Sequence, residues 1–272
     1  MTDPNAVYTL GRSGVERARL QRQADEMLPP NRALLDRTDL GPGHTAVDLG
    51  CGPRGALDLL AARVAPGGRV VGVDADPVHV EMAAGFAAER GVPGVEVVEA
   101  DARRTGLPSD AFDLVHTRTL LVNVPDPENV VAEAVRLARP GGQVASLEPD
   151  CEYDLVHPPH PAIDRIREIF PVVFARNGAD PQVGRRVPQL FRDAGLTDVQ
   201  VDAAVEVFPI GHTRRTVLLD LVRSMRSHAV ELGLADEAEL DRLDAEGRAH
   251  LDDPRVVVLS HPFFQVCGRK PA

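Results

Sequence analysis

The sequence predicts a doubly wound, mostly parallel α/β sheet, and three observations carry that prediction. Short apolar runs alternate with helical patterns five times between residues 46 and 150, as parallel strands joined by crossover helices do. The first run, Ala46 to Leu49, opens directly into Gly50-Cys51-Gly52-Pro53-Arg54-Gly55 and then a helical pattern at Leu57, Leu59, Leu60 and Ala61. Strand, tight glycine turn and helix N-terminus in that order leave bare backbone N–H groups facing a ligand. Acids then follow at the ends of the next two strands, Asp74 and Asp101, on the carboxyl edge where such sheets bind ligands.

Each element has its own signal. Residues 13–37 place Val15, Ala18, Leu20, Met27, Leu34 and Leu35 at helical spacing, with a break at Pro29-Pro30. Gly41-Pro42-Gly43 releases the chain into a first strand at Val47–Leu49, followed by a helix over 55–64. Pro66-Gly67-Gly68 turns into a second strand, Arg69 to Asp74; Asp76 is set to cap the next helix, with Pro77 at its first position. Val95–Glu99, Phe112–Val115 and Gln143–Leu147 read as strands three to five, with a helix at Pro127–Leu137 closed by Arg139-Pro140-Gly141-Gly142. Beyond residue 150 the rhythm changes. Helices are expected over 162–176, 186–194, 213–232 and 235–250, and strands over Val199–Phe208 and Phe263–Cys267.

Composition removes several classes of function. At 272 residues, with 43% hydrophobic and 26% charged content, the chain suits one large globular domain. A net charge of −11 disfavours a polyanionic partner, so nucleic acid is not expected. Lys270 is the only lysine. No run of eighteen apolar residues predicts a membrane span, and Met1-Thr2-Asp3-Pro4-Asn5 does not start a secretory signal. Three distant cysteines, Cys51, Cys151 and Cys267, read as free thiols of a cytoplasmic protein.

Residues 50–55 satisfy the dinucleotide pattern G-x-G-x-x-G, which is weak by itself. Asp74 fits any ribose. Asp48, two positions before the first glycine, disfavours a pyrophosphate, and Asp101 adds a second acid suited to an adenine amino group. Three carboxylates suit an adenosine carrying a positive sulfur better than one carrying two phosphates.

The stretches Val47-Asp48-Leu49-Gly50-Cys51-Gly52, Val71-Gly72-Val73-Asp74, Glu99-Ala100-Asp101-Ala102 with Leu107-Pro108, Phe112-Asp113-Leu114-Val115 and Leu137-Ala138-Arg139-Pro140-Gly141-Gly142 follow one another in a recognisable order and spacing. Together they resemble a class I S-adenosylmethionine-dependent methyltransferase, of the small-molecule kind found in bacterial secondary metabolism. The resemblance implies a Rossmann-like seven-stranded sheet with its last strand antiparallel and S-adenosyl-L-methionine as cofactor. It also implies an N-terminal helical cap over 1–40, a cofactor-binding core over 41–150, and acceptor-site helical insertions within 151–272. Carried over, Gly50, Cys51 and Gly52 would take the methionine part, Asp74 with Ala75 the ribose, and Asp101 and Ala102 the adenine. His116 would sit near the methionine moiety, and Tyr8 and Gln23 would belong to a lid. Arg54 stands where the family often has glycine, which puts the path of this loop in question.

Methyl transfer needs alignment and dryness more than a conspicuous catalytic motif. Glu148, closing strand five, and His261, before the last strand, are the candidates to orient or deprotonate an acceptor; Asp150, His157 and His160 rank below them. Cys151, His157 and His160 lack a fourth ligand at tight spacing, so no metal is expected. Phe170, Phe174, Phe208, Phe263 and Phe264, with Val172, Val173 and Leu218, line either an acceptor pocket or ordinary core. The rival functions are a nicotinamide-dependent oxidoreductase and a cyclase or rearrangement enzyme that binds the same cofactor without transferring methyl. Acceptor identity and oligomeric state, monomer or homodimer, have no diagnostic motif.

Overall fold

The computed structural model of the protein describes residues 24–272; Tyr8, Gln23 and most of the expected N-terminal cap lie outside these. The first helix whose two ends both fall among the described residues, α1 (Leu28–Leu35), carries Pro29 and Pro30 in its opening turn, where the absent proline N–H costs no hydrogen bond. Strands β1 (Thr45–Leu49), β2 (Arg69–Asp74), β3 (Val95–Glu99), β4 (Phe112–Arg118) and β5 (Ala138–Pro149) pair in parallel. Between them run α2 (Leu57–Val64), α3 (Pro77–Glu89) and α4 (Pro127–Leu137). Asp76 caps α3 as its sequence predicts, its carboxylate accepting from the Val78 N–H.

The rest of the chain supplies β6 (Leu155–His157), α5 (Pro161–Phe174), α6 (Val183–Asp193), β7 (Thr197–Ala204), α7 (Val217–Ser224), α8 (Arg226–Glu231), α9 (Glu237–Leu251), β8 (Val257–Leu259) and β9 (Phe263–Arg269). The main sheet has seven strands in the order β3-β2-β1-β4-β5-β9-β7, and β9 is antiparallel to both of its neighbours. That is the architecture the sequence implied. A two-stranded ribbon of β6 and β8 was not foreseen, and the helix expected over 213–232 is a short 3₁₀ turn, Thr213–Thr216, followed by α7 and α8.

Strand alternation divides the core between the two faces of the sheet. Ala46, Val70, Leu114, Ala145 and Leu147 point to one face, beneath Met27, Leu34 and Leu35 around α1 and Leu57 and Leu60 of α2. Val47, Leu49, Val71, Val73, Val115 and Val144 point to the other, covered by α4, α6 and the helices of the last third of the chain. Each fully buried leucine or valine stabilises the fold by roughly 1.5–3 kcal/mol. The sheet order reverses between β1 and β4, which opens a crevice at the carboxyl ends of these strands. Among the described residues no helix is long and apolar enough to cross a membrane.

Candidate active site

The glycine turn after β1 is held from below. Asp48 pairs in register with His116 on β4, and alternation aims both side chains at the α1 face. One Asp48 oxygen lies 2.7 Å from His116 Nδ1, and the other accepts the Ala56 N–H at 2.8 Å. His116 Nε2 lies 2.9 Å from Asn31 Oδ1 of α1. Gly55 adopts φ +57°, and a Cβ there would stand 2.3 Å from the Asp48 carboxylate, so this position requires glycine on two counts. Gly52, at φ +59°, has no atom within 4 Å of where its Cβ would be; it faces the cavity. Arg54 fits without glycine's freedom because it leaves the loop sideways. It pairs with Asp58 at 2.9 Å and with Asp25, and lies 4.8 Å from the Phe86 ring centroid.

The tips of the strands line up along a cavity of about 240 Å³. At β2, Asp74 accepts the Gly52 N–H at 2.7 Å and the Asp76 N–H at 2.9 Å, fastening the loop to the strand. A carboxylate has about four acceptor sites, so it retains capacity for a ribose. Beyond β3, Asp101 is gripped by the Arg103 guanidinium at 2.7–3.1 Å, a pairing that holds its carboxyl below the usual range. At the end of β4 stands Arg118, whose Nη1 is buried with no hydrogen-bond partner among the described residues. Burial disfavours its charge, which an arriving anion would relieve. Arg118 was not anticipated, because the sequence reading ended this strand at Val115.

Toward β5 and β9 the same cavity becomes apolar, with Phe170, Phe174, Val217, Leu221 and Phe263 on its wall beside Arg214 and His261. His261 is 6% exposed, and neither ring nitrogen has a hydrogen-bond partner among the described residues. Burial, assisted by the Arg214 charge, lowers its pKa, so the imidazole is neutral near pH 7. Arg214, also missed from sequence, ion-pairs with Glu26 at 3.9 Å and lies 5.1 Å from the ring centroids of both Phe208 and Phe263.

The candidates named from sequence therefore divide. Gly50, Cys51, Gly52, Asp74, Ala75, Asp101, Ala102 and His261 share the cavity wall. Asp48 and His116 do not: they sit within the sheet's α1 face, their polar atoms engaged with each other, Asn31 and Ala56, and brace the turn instead. Glu148 is also withdrawn from the cavity. Fully buried, it accepts the Leu120, Leu121 and Val122 N–H groups at 3.0–3.2 Å, fixing the loop that follows β4. Burial pushes its carboxyl up to about 7 against those three donors. Asp150 is paired with Arg185, His160 caps α5, and His157 lies on β6. Of the phenylalanines, Phe170, Phe174 and Phe263 reach the cavity, while Phe208 lies behind Arg214. Cys51, whose thiol burial raises, fills space in the turn.

Residues 47–146 match the model of a methyltransferase domain family. An uncharacterized 37.1 kDa protein of transposon Tn4556 in Streptomyces fradiae is 35% identical over 78% of this chain and 61% of its own length. Trans-aconitate 2-methyltransferase of Methylobacterium radiotolerans is 32% identical over 68% of this chain and 67% of its own length. The chain thus spans about two thirds of the length of these curated relatives. Among solved structures, phosphoethanolamine N-methyltransferase 2 of Haemonchus contortus superposes with a TM-score of 0.58 at 16% identity, over 90% of this chain and 53% of that one, a likeness of fold. The relatives, the fold and the glycine turn agree: the chain belongs to the class I S-adenosylmethionine-dependent methyltransferase family.

Proposed function

We propose that the protein transfers the methyl group of S-adenosylmethionine to an oxygen, nitrogen or carbon atom of a small organic molecule. One observation carries this reading: a single cavity runs from Gly52, Asp74 and Asp101 to Phe170, Phe263 and His261. It therefore has room for an adenosine-type ligand and an acceptor in line. The residues present fit the cofactor. Gly52 leaves the turn open, Asp74 suits ribose hydroxyls, Asp101 an adenine amino group, and Arg118 Nη1, buried without a partner among the described residues, a carboxylate. When bound, the cofactor supplies a methyl carbon on a cationic sulfur, which leaves with the carbon–sulfur electron pair as the acceptor forms its new bond.

The chain's own part is to hold the acceptor on the far side of that carbon, keep water out with the phenylalanine wall, and receive a proton where the acceptor gives one up. Neutral His261, whose ring nitrogens are unengaged among the described residues, is the group that receives it. The Methylobacterium radiotolerans relative, a trans-aconitate 2-methyltransferase by name, supports the small-molecule class. Three free cysteines accord with a cytoplasmic setting.

Calorimetric titration with S-adenosylhomocysteine is the test. Binding tighter than about 1 mM, weakened roughly tenfold or more by Asp74→Ala, is expected. No binding at that concentration, or a fluorescence shift of NADH on adding the protein, overturns the proposal.

A further inference from the structure

Two side chains of the cavity wall, Asn123 and His261, keep hydrogen-bonding capacity that no described residue meets. Asn123 closes the 3₁₀ turn Leu121–Asn123 that follows β4. Its Nδ2 donates to the Thr119 carbonyl at 2.8 Å, a contact its oxygen could not make, so the orientation of the amide is settled. Oδ1 is then the atom left buried with no partner. The backbone beneath it is held against its own preference. Thr119 adopts φ +49°, rare for a β-branched residue, and its N–H donates to the Leu147 carbonyl at 2.9 Å. Glu148 ties down the next three N–H groups. His261 stands across the end of β5, just before β9, and its backbone is equally fixed. Ser260 exchanges hydrogen bonds with Glu206 at 2.8 and 2.9 Å, and the Pro262 carbonyl accepts the Asp150 N–H at 2.9 Å. The charged groups around the ring are paired with others, Arg214 with Glu26, Asp150 with Arg185 and Asp154 with Arg167, and the imidazole stays neutral. A neutral imidazole has one acceptor and one donor, and a carboxamide oxygen only accepts. The wall therefore presents two acceptors and one donor.

We propose that the methyl acceptor is an uncharged, largely apolar molecule with two hydrogen-bond donors, a hydroxyl set against a ring nitrogen of His261 and a second O–H or N–H set against Asn123 Oδ1. The inference rests on the function proposed above and narrows it. Phe170, Phe174 and Leu221 take the apolar body, and that wall disfavours a charged one. A molecule whose polar groups all accept, a carboxylate included, leaves Asn123 Oδ1 stranded. The hydroxyl at His261 is the one that reacts: its proton passes to the imidazole, its oxygen bonds to the methyl carbon, and the carbon–sulfur electron pair stays on sulfur. The product keeps a donor for Asn123 and has none left for His261, so it is held less firmly than the acceptor.

The experiment compares naphthalene-2,6-diol, 6-methoxy-2-naphthol and 2,6-dimethoxynaphthalene, one skeleton with two donors, one and none, by calorimetry on the full chain saturated with S-adenosylhomocysteine. Each hydroxyl replaced by methoxy should weaken binding roughly fivefold, the size of effect that a neutral hydrogen bond gives. In Asn123→Ala the diol and the monoether should bind alike, both still ahead of the diether, and His261→Phe should give the same pattern. In the double variant all three should bind alike. A merely structural role for either residue would instead weaken the three equally and keep their ranking, which overturns the proposal. Saturation by S-adenosylhomocysteine is measured first, in every variant. If the unaltered chain fails to bind it, the methyltransferase reading falls and this proposal with it. If it binds and the diol has no advantage over the ethers, or no probe binds, this proposal alone falls. The three-probe ranking in the unaltered chain decides the matter even if Asn123→Ala, which frees the Thr119 carbonyl, does not fold.

Discussion

Alanine at position 55 tests the packing beneath the glycine turn. The new methyl group would lie 2.3 Å from an Asp48 oxygen and 2.8 Å from the Cys51 carbonyl, on backbone with φ +57°. The left-handed backbone costs an alanine about 1–2 kcal/mol. Relieving the contact means displacing the oxygen that accepts the Ala56 N–H at 2.8 Å, and a buried charge-assisted bond of this kind is worth about 1.5–3 kcal/mol. The sum, roughly 3–5 kcal/mol, lowers the melting temperature by about 6–20 °C in a domain of this size. Gly52→Ala is the internal control: it has the same backbone cost, with nothing within 4 Å to collide with. It should melt only a few degrees low while weakening S-adenosylhomocysteine binding, because its methyl group enters the cavity. Scanning calorimetry of both variants checks this. A Gly55→Ala protein that melts within about one degree of the parent, or above Gly52→Ala, refutes the account of the turn.

Arg118→Met should weaken S-adenosylhomocysteine roughly tenfold or more by calorimetry, with the melting temperature unchanged or raised, since it removes a guanidinium nitrogen that is buried without a partner among the described residues. Glu148, whose pKa stands at about 7 against an ordinary 4.5, keeps in the folded protein a proton that the unfolded chain releases. Its contribution to stability is therefore complete below about pH 4.5 and is lost as pH rises through about 7, on the order of 3 kcal/mol in all. Urea midpoints from pH 5 to pH 8 should show this slope, and Glu148→Gln should flatten it; an unchanged slope contradicts the assignment. Asp48→Asn keeps one acceptor where His116 and Ala56 occupy two, so urea denaturation should show a loss of about 1.5–3 kcal/mol.

Much of this molecule was legible from its residues, and the misses share a cause. The parallel strands announce themselves through short apolar runs and turn residues, and Asp74 and Asp101 stand at strand ends where a cleft must form. Parity was not legible. A parallel strand buried on both faces is apolar throughout, so nothing in Ala46-Val47-Asp48-Leu49 says that Asp48 shares a face with Ala46, beneath α1. Glu148 was set in the cavity for the same reason. The end of β4 was hidden by His116 and Thr117, which look like the start of a loop. Each is satisfied sideways, Thr117 donating to the Ser146 hydroxyl at 2.8 Å, so the strand continues to Arg118. Arg214 lay in a stretch that read as ordinary helix and was found only when the fold brought residues 208, 214, 261 and 263 together.

The row of contacts from Asn31 through His116 and Asp48 to Ala56 restricts how this sequence can drift. Each member has its neighbour's hydrogen-bonding needs written into it, so a lone exchange strands a polar atom in dry interior, whereas a matched set of exchanges does not. Natural variants should therefore alter these positions as a block, retaining the whole relay or replacing it with an oily substitute, with half-converted intermediates scarce.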